Sequence, residues 1–444
     1  MMKTPIDDFV RAYAEGGTAR LHMPGHKGVG DIEACDITEI RGADSLFEAS
    51  GIIRKSEENA ARLFGARTYY STEGSSLCIR AMLYLVAQEA KACGRAPTVL
   101  SARTSHKTFV GACALLGLDV DFLCPAEGEG YLSCTVTPEA VKNYLSTHAL
   151  PAAVYLTSPD YLGNRQDIRA IADVCHAFGT RVIVDNAHGA YLAFLSPSEH
   201  PIALGADMCC DSAHKTLPVL TGGAYLHLHP ALAADMADGV RAALSLFAST
   251  SPSYLILASL DRANRTLSEN FAARLSACCS AVAALRKRLA AHGYVLTGDE
   301  PMKLTLCPKP YGYMGTELAD ELRARGIECE FSDPDYTVLM PSVDTLPAVL
   351  SRLGEVLCSL PRRAPITSAP PRFLAPVRVM SLREAVLSPS EVLPADACLG
   401  RTVGAVTVGC PPAVPILTSG ERVDEHALAL LAYYGIEALR VVRV

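Results

Sequence analysis

The sequence predicts an α/β protein with a largely parallel sheet, and three observations carry that expectation. Short β-prone runs at residues 98–101, 152–157 and 182–184 alternate with helical segments long enough to serve as crossovers. The run Val182, Ile183 and Val184 is apolar throughout, as a strand covered on both faces must be. Polar residues able to do chemistry follow such runs directly: His106, Ser158, Asp185, Ser212 and Lys215 all fall where strands end. Ligands of parallel sheets collect at those carboxyl ends.

In order along the chain, residues 5–14 predict a short helix running into Gly16 and Gly17. LHMPGHKGVG, residues 21–30, brackets His22 and His26 with proline and glycines, which makes it irregular backbone; a surface loop with incidental imidazoles is the plain alternative. DITEIRGADSLFEAS, residues 36–50, carries Asp36, Glu39, Asp44 and Glu48 with weak periodicity, and a solvated acidic face accounts for it equally. Residues 56–64 read as helix and 68–71 as strand. The turn Gly74, Ser75 and Ser76 then leads into a helix over 77–91. A turn of that kind presents free N–H groups, hydroxyls and the positive dipole end, as a phosphate requires, although an ordinary serine cap reads the same. Glu73 sits awkwardly beside it, because a carboxylate repels a phosphate.

After the strand at 98–101 comes His106, which suits either a helix cap or a ring stacked on a flat cofactor. The strand at 152–157 leads through SPDYLGN to a helix over 167–178 and then to the central strand. A second strand lies around Met208 and Cys210, and a third over 223–228. Residues 255–292 read as one long amphipathic helix, connecting to a smaller strand, helix, strand, helix unit over 293–360. A proline-rich linker over 361–377 follows, then strand-like VGAVTVG, the turn-rich CPPAVPILTSGE and a last helix over 424–434. The expected organisation is therefore an amino-terminal arm (1–35), a large domain (36–292), a small α/β domain (293–360), the linker (361–377) and a carboxyl-terminal α+β domain (378–444).

A chain of 444 residues, half of them apolar, buries two or three cores rather than one. A net charge of −7 and the lack of any long basic run argue against nucleic acid or an anionic membrane as the main partner, leaving a small molecule. The 16 cysteines form no CxxC pair and include the doublets Cys209-Cys210 and Cys278-Cys279, so they read as reduced, mostly buried thiols of a cytoplasmic protein and not as a metal centre. No apolar run reaches transmembrane length, and no secretory leader is evident.

The chemistry concentrates in residues 181–228. An aspartate at one strand end, Asp185, and a lysine after another, Lys215, suit a pyridoxal 5'-phosphate site: the lysine forms the Schiff base and the aspartate keeps the pyridine nitrogen protonated.

LHMPGHKG, DITEIRGADSL, the Gly-Ser-Ser turn, TSHKT, TSPDYLG, VDNAHGAY, DSAHKTLPVLTGG, TSPSY and CPPAVPILTSGE, in that order over nearly the whole chain, resemble the Orn/Lys/Arg decarboxylase family of fold type I pyridoxal phosphate enzymes. The resemblance implies an aspartate-aminotransferase-like large domain and a homodimer or higher homo-oligomer with active sites at the interface. It further implies decarboxylation of arginine, lysine or ornithine to the amine, a step of polyamine biosynthesis. By the same resemblance Lys215 is the Schiff-base lysine, Asp185 the pyridinium partner, and His106 the stacking ring with His188 beside it. Gly74, Ser75, Ser76, Ser212 and His214 form the phosphate cradle, and Asp44 is the candidate partner of the substrate's distal charge. This chain departs from the family pattern at Glu73, where asparagine is usual, at Asn186, where glutamate is common, at Ala213, where threonine often stands, and at Ser45, where a second acid often follows. An aminotransferase or lyase would share every cofactor residue, and a non-catalytic regulator is a third reading.

Overall fold

Two stretches of chain, Met1–Arg95 and Ile168–Leu275, build one unit, and Ala96–Asp167 with Ser276–Val444 build a second. The computed structural model describes residues 1–125, 132–409 and 414–443. In the first unit, α1 (Pro5–Glu15) starts on a proline whose missing N–H costs nothing at a helix start, and α2 (Ile52–Phe64) stops at Gly65, φ +63. Then come β1 (Arg67–Ser71) and α3 (Gly74–Ala92).

The chain enters the second unit with β2 (Thr98–Ala102), α4 (Lys107–Leu116), β3 (Asp119–Leu123), α5 (Pro138–Thr147) and β4 (Ala153–Thr157). It returns to the first with α6 (Ile168–Ala177), β5 (Arg181–Asp185), β6 (Met208–Asp211), α7 (Ala213–Thr216), β7 (Ala224–Leu228), α8 (Ala233–Phe247) and α9 (Tyr254–Ser268).

The sheet of the first unit runs β1-β7-β6-β5, and that of the second includes β4-β2-β3. The pairs β5–β6, β2–β3 and β2–β4 are parallel, as the alternation of strands and helices predicted. β7 is the exception, running antiparallel to both β1 and β6. Val182, Ile183 and Val184 are fully buried, so the central strand is covered on both faces.

One expected element is corrected. The helical stretch over 255–292 is two helices, α9 and α10 (Phe271–His292), because Glu269 takes ψ −104 and ends the first. α10 carries the chain back into the second unit, where β8 (Val295–Thr297), β9 (Leu304–Cys307), α11 (Gly315–Arg323), β10 (Phe331–Ser332), β11 (Thr337–Leu339) and α12 (Pro347–Ser359) follow. This is the strand, helix, strand, helix run read from the sequence, with its strands in an all-antiparallel sheet ordered β10-β11-β9-β8. Residues 361–377 carry no helix or strand.

The tail holds α13 (Leu382–Leu387), β12 (Ser390–Pro394), β13 (Thr407–Val408), β14 (Leu417–Thr418), α14 (Glu425–Tyr433) and β15 (Ala438–Val442). The strand expected at VGAVTVG is thus only β13, paired with β14, and the longer ladder is β12 with β15. Residues 410–413 of the CPPAVPILTSGE segment lie outside the described residues. The 15 described cysteines are all free, eight of them buried. Among the described residues no helix is long and apolar enough to cross a membrane.

Candidate active site

In the first unit, the ends of β5 and β6 and the start of α3 bring most of the expected site together. β5 and β6 pair with Asp185 opposite Cys210, so these two side chains share a face. Asp185 is 3% exposed; its Oδ1 accepts the Ala187 N–H at 3.2 Å and the Cys210 thiol lies 3.6 Å away. Burial pushes the Cys210 thiol well up, and the neighbouring Asp185 charge adds to the effect, so this sulfur stays protonated.

Past β6 the chain turns at Ser212 into the short α7, where the Lys215 N–H bonds to the Ser212 carbonyl at 3.0 Å. Lys215 Nζ stands 3.1 Å from His188 Nε2, with the lysine exposed and the histidine buried. That distance lets a proton pass between amine and imidazole. His214 is fixed at both ends: its N–H and its ring Nδ1 reach the Gly223 carbonyl at 3.2 and 3.0 Å. A carbonyl only accepts, so Nδ1 carries the hydrogen and Nε2 the lone pair in the neutral ring. Burial holds the His214 imidazole below its ordinary value, and the Lys215 charge works the same way against the pull of the Gly223 carbonyl.

The turn before α3 forms the other wall. Gly74 has φ +70, a conformation glycine adopts without strain, and its N–H bonds to the Gly222 carbonyl at 2.7 Å. Ser212 Oγ donates to Ser75 Oγ at 2.8 Å, which joins the turn to the residue following β6. Ser75 and Ser76 lie in the first turn of α3, where N–H groups lack helical partners. Glu73 does not face a phosphate here. Its Oε1 accepts the Ser249 N–H at 2.7 Å, so the charge that looked repulsive fastens the loop before α9.

These residues fit a pyridoxal phosphate. A Cβ built on Gly74 meets nothing within 4 Å, so open space adjoins the turn. Around it are hydroxyls and helix-terminal amides for an anion, an amine for a carbonyl, and a buried carboxylate for a ring nitrogen.

Two further expected residues have local backbone partners. His106 belongs to the second unit, where it caps α4: its Nδ1 accepts the Thr108 N–H at 3.2 Å and lies 3.0 Å from Thr108 Oγ1. Asp44 is half-buried with φ +74, and its carboxylate accepts five backbone amides, those of Ser45, Ser50, Gly51, Ile53 and Arg54, at 2.7 to 3.5 Å. It anchors the amino end of α2, and a substrate cation would have to share its oxygens with these amides. Glu39, in the same segment, is exposed and accepts from Ser45 Oγ at 2.8 Å.

Sequence reasoning passed over a buried group one residue from the site. Asp211, the last residue of β6, bonds to Asn186, His200 and His227. The signal was there: a carboxylate closing the apolar run MCC, where an unpaired charge is strongly disfavoured.

Comparison with known proteins identifies the family and the fold. The family model described as Orn/Lys/Arg decarboxylase, major domain, matches residues 4–305. An arginine decarboxylase of Halalkalibacterium halodurans is 29% identical over 97% of this chain and 93% of its own length, and one of Bacillus subtilis is 28% identical over 97% and 93%. Among solved structures, the Francisella novicida lysine decarboxylase covers 99% of this chain and 81% of its own at a TM-score of 0.81 and 15% identity. Lysine decarboxylase A of Pseudomonas aeruginosa covers 99% and 80% at 0.80 and 17%. At such identities the structural likeness establishes the fold, which is α/β of the kind the sequence predicted. With the family model spanning more than half of its length, the chain belongs to the Orn/Lys/Arg decarboxylase family.

Proposed function

We propose that the protein is a pyridoxal phosphate-dependent decarboxylase that converts a basic amino acid, arginine first among arginine, lysine and ornithine, to its amine and CO₂. The observation that carries this reading is Lys215 Nζ beside His188, near strand ends that also hold buried Asp185 and the Ser75–Ser212 turn, in a chain of this family. Arginine leads because relatives matching along nearly the full chain bear that name.

The cofactor, when bound, supplies the electron sink for breaking the bond between Cα and the carboxylate. Lys215 would hold it covalently through Nζ. His188 Nε2 takes up or returns the proton at that nitrogen. Asp185, buried at the end of β5, would pair with the pyridine nitrogen and favour its protonated form. Gly74, Ser75, Ser76 and Ser212 would receive the phosphate with amides and hydroxyls, while the Nε2 lone pair of His214 suits proton transfer better than anion binding. The substrate's distal cation needs a counter-ion, since an unpaired buried cation is strongly disfavoured, and the acidic segment around Glu39 and Asp44 supplies it. The working form is a cytoplasmic homodimer whose product amine feeds polyamine synthesis.

The test is CO₂ release from arginine, lysine and ornithine by the purified protein with pyridoxal phosphate, with each amine identified. Release from arginine with formation of its decarboxylated amine supports the reading. A keto acid in place of CO₂ assigns the site to an aminotransferase, and a protein that takes up no cofactor is a regulator.

A further inference from the structure

Asp211, Asn186, His200 and His227 form a cluster that the site chemistry leaves without a role. All four are fully buried. Asn186 Nδ2 donates to Asp211 Oδ1 at 2.6 Å, and His200 Nε2 and His227 Nε2 lie 3.1 and 3.2 Å from Oδ2. Thr68 Oγ1 on β1 is 2.9 Å from His227 Nδ1. The carboxylate only accepts, so each histidine presents Nε2–H to it, and Thr68 donates to His227 Nδ1.

A metal ion is the first alternative, because His200, Cys209 and Asp211 offer atoms within 4.8 Å of one another. The tautomers argue against it. A metal on His200 Nε2 would put the hydrogen on Nδ1, which is buried and has no hydrogen-bond partner, whereas ligating histidines almost always donate that N–H. With Nε2–H given to Asp211 instead, the idle Nδ1 carries only a lone pair. Burial alone would raise the Asp211 carboxyl, but the two imidazoles more than offset this and hold it below the ordinary range, so it is ionised.

The cluster's position suggests its use. Asn186 directly follows Asp185, and Asp211 directly precedes Ser212 and the turn to Lys215. Cys210 shares a face with Asp185, so Asp211, one residue on, points to the opposite face of the sheet. The Asn186 N–H bonds to the Cys210 carbonyl at 2.9 Å, extending the β5–β6 ladder by one rung. The Asn186–Asp211 bond then closes the ladder from behind, and His227 ties it to β7 and, through Thr68, to β1.

We propose that Asp211 is a positioning residue: by fastening the ends of β5 and β6 from the far face, it sets the separation between Asp185 and Lys215 that a bound pyridoxal phosphate requires. This rests on the cofactor reading given above. The asparagine after Asp185 is here the donor to a carboxylate carried by the neighbouring strand.

The experiment measures, in the full chain, the dissociation constant of pyridoxal phosphate and the pH at which its Schiff-base absorbance changes, beside the melting temperature. Three variants are compared. Asp211→Asn removes the charge, and Asn186→Ala removes only the link to β5 while leaving both histidine bonds. Asp261→Asn is the control, a buried carboxylate of the same unit that bonds to Ile6, Asp7 and Ser56. The first two are expected to weaken cofactor binding about tenfold or more and to move the absorbance midpoint by about half a pH unit. The control should lower the melting temperature without moving the midpoint. Equal midpoints in all four proteins, or an equal shift in the control, would overturn the inference, as would a stoichiometric bound metal in the purified parent. If Asp211→Asn does not fold, Asn186→Ala decides alone. A parent that takes up no cofactor defeats the cofactor reading itself, an outcome separate from a parent that binds normally while its variants do too.

Discussion

At the scale of single residues, the site reduces to what each side chain can hold. Lys215 is exposed and contributes little packing, so Lys215→Ala should abolish turnover and the Schiff-base absorbance while leaving the melting temperature within a few degrees of the parent. Decarboxylation near the parent rate in that variant would remove Lys215 from the mechanism. Asp185→Asn keeps size and loses charge. Turnover is expected to fall by several orders of magnitude, on the scale of the ~10⁴ seen when a buried orienting aspartate is neutralised in a serine protease. A loss below tenfold would make Asp185 structural. The positions of Asp185, His188, Ser212 and Lys215 at or just beyond strand ends were legible in the sequence, because the apolar runs that end there could be located. Asp211 was not, since its function depends on partners at 186, 200 and 227 whose meeting only the folded sheet brings about.

The elements explain where the acidic residues of the amino-terminal segments are directed. Asp44 was read as a substrate partner, yet its oxygens serve the amides at the start of α2. Asp44→Asn replaces one accepting oxygen with a donor and should destabilise the fold by about 1–3 kcal/mol, the cost of leaving partly buried amides unmatched. Glu39→Gln should leave the melting temperature unchanged and raise KM for arginine about tenfold, which corresponds to ~1.4 kcal/mol of lost pairing. Steady-state kinetics and thermal melts on the two variants separate the roles, and a KM rise confined to Asp44→Asn would return the counter-ion to Asp44. Glu73 carries the same lesson. Its identity suggested repulsion of a phosphate, but the side chain leaves the turn for Ser249, a direction no one-dimensional reading supplies.

At the scale of the whole molecule, buried charges set how each unit responds to pH and mutation. In the first unit Glu57 is buried, bonded to the Tyr70 N–H and paired with Arg241 at 2.5 Å. Burial raises its carboxyl from 4.5 to about 7, outweighing the Arg241 charge. A folded value above the unfolded one means that this group's contribution is greatest below pH 4.5 and is lost as pH rises through about 7. Glu57→Gln should therefore gain stability relative to the parent between those limits, by on the order of 1–3 kcal/mol. Melting temperatures of both proteins at pH 5 and pH 8 check this, and a difference independent of pH would refute it.

In the second unit the tail segment read as CPPAVPILTSGE acquires a purpose. Glu421 takes the buried Arg103 guanidinium at 2.6 and 2.8 Å, and Arg103 also donates to the Pro415 and Ile416 carbonyls. The tail is thereby fastened to the end of β2, three residues before His106. Glu421→Ala leaves that cation buried without its carboxylate and should cost about 3–5 kcal/mol in chemical denaturation. A cost below ~1 kcal/mol would mean that the pair is not needed.

Sequence alone determined the α/β class, the strands that run up to Asp185 and Ser212, the serine-bearing start of α3 and the family, because apolar periodicity and ordered local segments are properties of neighbouring residues. It also placed the small strand and helix run after α10. Tertiary structure decided what depends on distant residues meeting: the break between α9 and α10, the antiparallel return of β7, the turning of Glu73 to Ser249, the use of Asp44 as an anchor for α2, and the bolt formed by Asn186 and Asp211. Hydrogen bonds between residues far apart in the chain leave no periodic trace, and burial decides their strength only once the sheet has closed over them.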